Sequence, residues 1–331
     1  MPIGYAHRVA EPPSGIHVVY ILGSSRGGTS IVGRFLGLLD GATFGGELRR
    51  LWGPALQPGR GTCGCSKPLP ECEIWSKLLA DGATYLQPSP DQVARLQDRV
   101  APIGRDWWHV RKILRRRRRP SPSSPEGRYL GALGELHQAF AAASGASVLV
   151  DSSKNASDAA LLASAPHEST YCVHVVRDPR GVVLSRRKRT MADPGGLHLL
   201  QALRTTIYWI LAHRTAEAVC RRYGPGRSLR VQYEQFADDP APTLGAVASL
   251  IGVAPPSPGP SPWVPTELPA AHGPDGHGRF STTQIVLKRD ERWTTELPAI
   301  DRFVVALLAY PLLRRYGYSV RSRRRVPLSV S

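Results

Sequence analysis

Apolar positions along the chain follow two rhythms. The runs 16–22, 146–150 and 169–176 are nearly continuous and rich in Val and Ile, as in strands buried on both faces; 229–234 alternates and reads as a fourth strand. Between them apolar residues recur every three or four positions. This spacing predicts helices over 31–39, 91–119, 128–144, 158–164, 197–222, 241–251 and 299–315, and a further helix opening at Pro179, where proline suits the first turn. A short strand ends at Phe44, and 120–127 (PSPSSPEG) reads as an exposed linker. Strand and helix in repeated succession imply a parallel sheet wrapped by helices, a three-layer α/β/α fold with a central parallel β-sheet.

The first strand runs into Gly23-Ser24-Ser25-Arg26-Gly27-Gly28-Thr29-Ser30 and then directly into a helix. Free backbone N–H groups and the positive end of the helix dipole meet in such a loop, which makes it an anion site. A nucleoside triphosphate loop would carry Lys where Thr29 stands, because that Lys reaches the outer phosphates. Here the positive charge lies three residues earlier, at Arg26. The third strand also ends in cationic sequence, Arg177-Asp178-Pro179-Arg180-Gly181, with Ser185 two helical turns on. The second ends in Asp151-Ser152-Ser153-Lys154. Polar groups just past strand C-termini mark the side on which open α/β sheets bind ligands, although Asp151 or Ser152 could equally cap the following helix.

Charge narrows the choice of ligand. The net charge is +17, and segments 111–119, 177–189 and 314–325 hold 19 of the 43 basic residues against one acid, Asp178. The rest of the chain is close to neutral. Cationic segments of this kind capture either nucleic acid or a small polyanion, and no aromatic-interleaved basic motif supports the former. Trp107-Trp108-His109 beside the first arginine run suits either a sugar, lipid or aromatic acceptor, or core tryptophans under a solvated arginine face; the second reading is preferred. Cys63-Gly64-Cys65 and Cys72 lack the paired spacing of a zinc ribbon, and no H-x3-H follows, so a packed, oxidisable thiol cluster is favoured over a metal site. The N-terminus has no apolar core of signal-peptide type, and the run Phe303–Leu313 contains Pro311 and is too short to span a bilayer, so a cytoplasmic protein is expected.

The two anion loops, in this order, resemble those of sulfotransferases that use 3′-phosphoadenosine 5′-phosphosulfate. The match lies in Arg26-Gly27-Gly28-Thr29-Ser30 and in Val176-Arg177-Asp178-Pro179-Arg180-Gly181 with Ser185. Gly46-Glu47-Leu48-Arg49, Cys63-Gly64-Cys65 with Cys72 and Trp75, Asp151-Ser152-Ser153-Lys154, and Gly278-Arg279-Phe280 before Asp290-Glu291-Arg292-Trp293 resemble bacterial, particularly actinobacterial, members. Some members carry Lys in the first loop where this chain has Arg26. The resemblance runs from about 16 to 295. It implies one domain of P-loop-like α/β/α fold over 1–331: a core of about 16–52 and 146–295, an insertion of about 53–145 shaping the acceptor site, and a basic C-terminal helix and tail, 299–331.

The resemblance also implies a site. Ser25, Arg26, Gly27, Gly28, Thr29 and Ser30 would grip the 5′-phosphosulfate, and Arg177 and Ser185 the 3′-phosphate. Arg279 and Lys288 would close over the donor. Arg26 is expected to act in catalysis, with Glu47 as first choice of general base and Asp151 as second. Glu47 could also be a helix-start charge, and Lys154 either a sulfonate contact or a structural ion pair. No metal is required by this chemistry. The partners expected are the donor and a hydroxyl-bearing acceptor, with no nucleic acid. Two other readings compete: a P-loop kinase-like phosphotransferase, which needs the missing Lys, and a basic nucleic-acid-binding protein.

Overall fold

The computed structural model describes residues 15–53, 61–80, 89–102, 106–116, 119–164, 169–190, 198–257, 264–274 and 283–319. Five parallel strands form the central sheet: β1 (His17–Gly23), β2 (Ala42–Gly46), β3 (Val148–Asp151), β4 (Thr170–Val176) and β5 (Ser228–Gln232), in the order β2-β3-β1-β4-β5. Side chains of β1 alternate across the sheet. Tyr20 and Leu22 enter one core, with Trp75, Tyr129, Leu133 and Phe140. Val19 and Ile21 enter the other, with Val32, Phe35, Val247 and Ile251. Both faces are therefore covered, as the continuous apolar runs required.

On the second face lie α1 (Thr29–Leu36) and, after the short α9 (Tyr233–Asp238), α10 (Ala241–Ile251); the first face carries α2 (Glu73–Ala80), α3 (Pro90–Val100), α4 (Asp106–Arg115), α5 (Pro125–Ser144), α6 (Ala156–Ser164) and part of α8 (His198–Tyr223). The remaining elements are α7 (Pro179–Thr190), the hairpin strands β6 (Pro265–Glu267) and β7 (Gln284–Val286), α11 (Trp293–Glu296) and α12 (Ala299–Arg315). Among the described residues no helix is long and apolar enough to cross a membrane.

Three expectations change. The single helix over 91–119 is two helices, α3 and α4, because Pro102 and Gly104 interrupt the pattern. The fourth strand stops at Gln232, and Tyr233 and Glu234 open α9 instead. Trp108 is not core: it is 73% exposed. Arg111 lies over the Trp107 ring, 5.5 Å from its centroid, so part of the arginine run packs on an aromatic side chain.

The sheet also buries a histidine pair. His174 of β4 and His213 of α8 approach to 2.8 Å between Nε2 and Nδ1. Burial, with the Arg230 charge adding to it, holds His174 down at about 3, and burial depresses His213 in the same direction. In the unfolded chain each imidazole takes a proton near pH ~6.5. Between that pH and the folded values the unfolded state binds more protons, so stability is fully present above about pH 6.5 and falls as the pH drops. The expected slope is up to ~1 kcal/mol per pH unit per histidine. Urea midpoints measured between pH ~7 and ~5, above most carboxylate titration, should show this decline. In His213→Gln it should roughly halve, and an equal slope in the variant would remove the pair as its cause.

Candidate active site

β1 delivers the first loop. Gly27 N donates to the Ser24 carbonyl across 3.0 Å, and the chain then turns sharply into α1. Arg26 holds a left-handed conformation at φ 67°, and Gly28, at φ 84°, is the N-cap of α1. A non-glycine residue in that region costs about 1–2 kcal/mol, so the loop carries strain at its one arginine. The first N–H groups of α1 lie at this turn without intrahelical partners. Thr29 is buried, while Ser25 and Ser30 are half-buried. Ser24 Oγ is buried with no hydrogen-bond partner. An orphaned hydroxyl inside a turn at a helix N-terminus fits a loop that receives a bound anion.

Gly28 is fixed by packing as well as by φ. A Cβ there would lie 2.1 Å from Cδ2 of Tyr233. Gly28→Ala is expected to destabilise the fold by about 2–4 kcal/mol, from left-handed strain together with overpacking. A denaturant midpoint within error of wild type would show that Tyr233 moves aside freely.

The second loop meets the first. Asp178 caps α7, accepting from Arg180 N at 2.9 Å, and Arg180 Nη2 lies 2.6 Å from its other oxygen. That cap sets the helix bearing Ser185 on the rim of the first loop. Arg26 Nε donates to Ser185 Oγ across 3.0 Å, and Arg177 Nη1 donates to the Arg26 carbonyl across 3.1 Å. Arg177 also pairs with Asp290 at 3.1 Å and lies over the Tyr233 ring, 5.0 Å from its centroid. Hydrogen bonds from Arg292, reinforced by the Arg177 charge, hold Asp290 well below the usual carboxylate range. The Trp209 indole donates to the Arg177 carbonyl at 3.0 Å. Arg177 is thus held from both ends at the junction of the two loops.

A third group stands at the ends of β2 and β3. Ser152 N and Oγ donate to the Gly46 carbonyl at 2.7 and 3.1 Å, and Arg49 N donates to Ser153 Oγ at 3.2 Å. These bonds clamp the Gly46–Arg49 and Asp151–Lys154 segments together. They bring Lys154 Nζ to 2.5 Å from Glu47 Oε1, with Arg50 3.3 Å from the other oxygen. Lys154 sits at φ 64°, the second strained residue at a strand end. This contact is the ion pair, one of the two roles open to Lys154.

Asp151 lies elsewhere. It is fully buried; Oδ2 faces His137 Nε2 at 3.0 Å, and Oδ1 accepts from both N and Oγ of Ser153. Both oxygens are engaged below the surface. Asp151, the second choice of proton acceptor, is thus buried, and its bonds fix the Ser153–Lys154 turn. Lys288 is exposed just after β7 and two residues before Asp290. Arg279 lies outside the described residues.

The structure adds Ser24, Tyr233 and Asp290 to the expected set. Ser24 and Asp290 stood in motifs that the sequence singled out. Tyr233 was masked by its reading as the end of a strand.

The fold is an α/β protein with two anion-suited loops at the C-terminal ends of adjacent parallel strands, the side on which open α/β sheets bind ligands. Residues 19–256 match the model of the sulfotransferase family. The chain belongs to that family and is a transferase of the sulfotransferase class. Among solved structures it is similar to the sulfotransferase domain of the olefin synthase from Synechococcus PCC 7002, at 18% identity, 93% of this chain, 98% of that one and a TM-score of 0.48. It is also similar to sulfotransferase STF9 from Mycobacterium avium, at 13% identity, 93% and 79% coverage and a TM-score of 0.47. No curated protein sequence matches.

Proposed function

We propose that the protein transfers a sulfonate group from 3′-phosphoadenosine 5′-phosphosulfate to a hydroxyl of a small-molecule, glycan or lipid acceptor in the cytoplasm. The observation that carries this reading is the junction of the two loops, with Arg26 on Ser185 at 3.0 Å and Arg177 on the Arg26 carbonyl at 3.1 Å. Two anion-suited loops in direct contact suit a ligand with anionic groups at both ends. A triphosphate reading lacks the loop Lys, since Thr29 occupies its place and is buried.

Ser25, Arg26, Gly27, Gly28, Thr29 and Ser30 would hold the phosphosulfate, Arg177 and Ser185 the 3′-phosphate, and Arg279 and Lys288 would close over the donor. Bound there, the donor supplies an electrophilic sulfur and a stable bisphosphate leaving group. Arg26 and the loop N–H groups stabilise negative charge where it grows on the leaving oxygen, a pre-set electrostatic role. Glu47 takes the proton of the acceptor hydroxyl. Lys154 and Arg50 hold Glu47 in place, and the Asp151 network holds Lys154. The insertion 53–145 borders the acceptor side.

Calorimetry tests the donor assignment. Wild type should bind adenosine 3′,5′-bisphosphate far more tightly than adenosine 5′-monophosphate. In Arg177→Ala the bisphosphate should lose roughly 10- to 100-fold in affinity, the worth of hydrogen bonds to a charged group, while the monophosphate changes little. Equal losses for both ligands would refute the 3′-phosphate role of Arg177.

A further inference from the structure

Three cysteines and one histidine converge on the insertion side of the sheet. Cys63 and Cys65 stand on a tight turn closed by Ser66 N to the Cys63 carbonyl at 2.9 Å and by Cys63 N to the Lys67 carbonyl at 2.7 Å. Ser66 takes φ 72° to complete it. Cys72 immediately precedes α2, and the Ile74 and Trp75 N–H groups hydrogen-bond to its sulfur. The fourth member is His272, which follows β6. Gly64 N bonds the Gly273 carbonyl at 2.9 Å, Cys63 bridges to Pro274, and the Trp75 indole donates to the His272 carbonyl.

The ligand atoms face one another. His272 Nδ1 is 3.2 Å from Cys72 Sγ and 3.8 Å from Cys63 Sγ, and all four ligand atoms lie within 4.8 Å of one another. A tetrahedral zinc ion with bonds of about 2.3 Å to sulfur and 2.0–2.1 Å to nitrogen needs edges of about 3.5–3.8 Å. The other ring nitrogen of His272 lies 3.4 Å from a Glu73 carboxylate oxygen. A carboxylate behind a ligating histidine fixes its tautomer and leaves the opposite nitrogen for the metal. All three cysteines are free thiols, and Cys63 and Cys72 are fully buried.

The geometry points to a structural zinc site formed by Cys63, Cys65, Cys72 and His272. Four protein ligands close the coordination sphere, so the ion stabilises structure and takes no part in sulfonate transfer. Each thiol gives up its proton on binding and His272 stays neutral, which makes metal uptake proton-releasing. The ion joins the turn at 63–65 and the start of α2 to a loop 200 residues away in the chain. That loop supports the site: a Cβ on Gly273 would lie 2.5 Å from the Gly45 carbonyl oxygen, two residues before Glu47. The site stands independently of the donor assignment, because it is read by metal content.

The test uses the full chain, purified without a polyhistidine tag and without chelator. Wild type and Cys220→Ser should each carry about one zinc ion per chain. Cys72→Ser and His272→Ala should retain less than a tenth of that. Stripping zinc should lower Tm by at least about 5 °C, and re-adding zinc should restore it. Where the variants fail to fold, cobalt added to stripped wild type gives the readout: thiolate-to-metal charge transfer with visible bands of tetrahedral cobalt supports the site. Wild type that takes up no zinc after anaerobic reconstitution overturns the proposal. So does zinc at wild-type level in the His272→Ala and Cys72→Ser variants, or cobalt without thiolate charge transfer.

Discussion

Arg26→Ala is expected to lower kcat by about 10³-fold while leaving the fold intact. The magnitude follows from removing a pre-set cation from a developing anion, an effect of about 10²–10³ for one oxyanion donor and more for an arginine on a transferring group. The fold should survive because Arg26 is exposed and its side chain bonds Ser185 outside either core. The backbone sharpens the test. Arg26 is left-handed at φ 67°, so Arg26→Gly removes the guanidinium and also relieves about 1–2 kcal/mol of strain. This variant should be as stable as wild type or more so, and as inactive as the alanine variant. Turnover near wild type in either would remove Arg26 from the chemistry. Lower stability in the glycine variant would mean that the arginine contacts outweigh the strain.

Glu47→Gln should reduce kcat by roughly 10²–10⁴-fold with little change in donor affinity, the range for loss of a positioned proton acceptor. Glutamine keeps the size and reach of the side chain but cannot take the proton. The clamp between the Gly46–Arg49 and Asp151–Lys154 segments runs mainly through backbone groups, Ser152 and Ser153, so it should persist. An unchanged rate would leave Glu47 with the ion pair to Lys154 as its only role. It would also move the search for the proton acceptor to Asp151, whose carboxylate, unlike that of Glu47, is fully buried.

The two strand–loop–helix units were legible because their signal is local. An apolar run, a glycine-rich turn and a helix are contiguous in sequence, and their physics needs no distant partner. The contact that joins the loops is not local: Arg26 and Ser185 are 159 residues apart. The sequence placed Arg26 in the loop after the first strand and Ser185 two turns into a helix, but the strand order β2-β3-β1-β4-β5, which sets β1 beside β4, is a tertiary result. Asp151 shows the same limit. Just past a buried strand, its type and place suited catalysis equally well, and only His137 beneath it shows that it faces inward. The thiol cluster lacked a fourth ligand in sequence because His272 lies in a Pro- and Gly-rich stretch with no periodicity to place it. Tyr233 was misplaced by one element: alternation carried the strand two residues too far, hiding the ring that closes on Gly28.

The proposed transfer requires the loops at 24–30 and 177–185 to act together on a phosphosulfate. It is tested most directly by incubating wild type and Arg26→Ala with donor carrying labelled sulfur and an extract of host metabolites. Wild type should move the label into a hydroxyl-bearing product in step with release of adenosine 3′,5′-bisphosphate, and Arg26→Ala should do neither. Label that stays on the donor with wild type, while γ-labelled ATP transfers its phosphate under the same conditions, would contradict it.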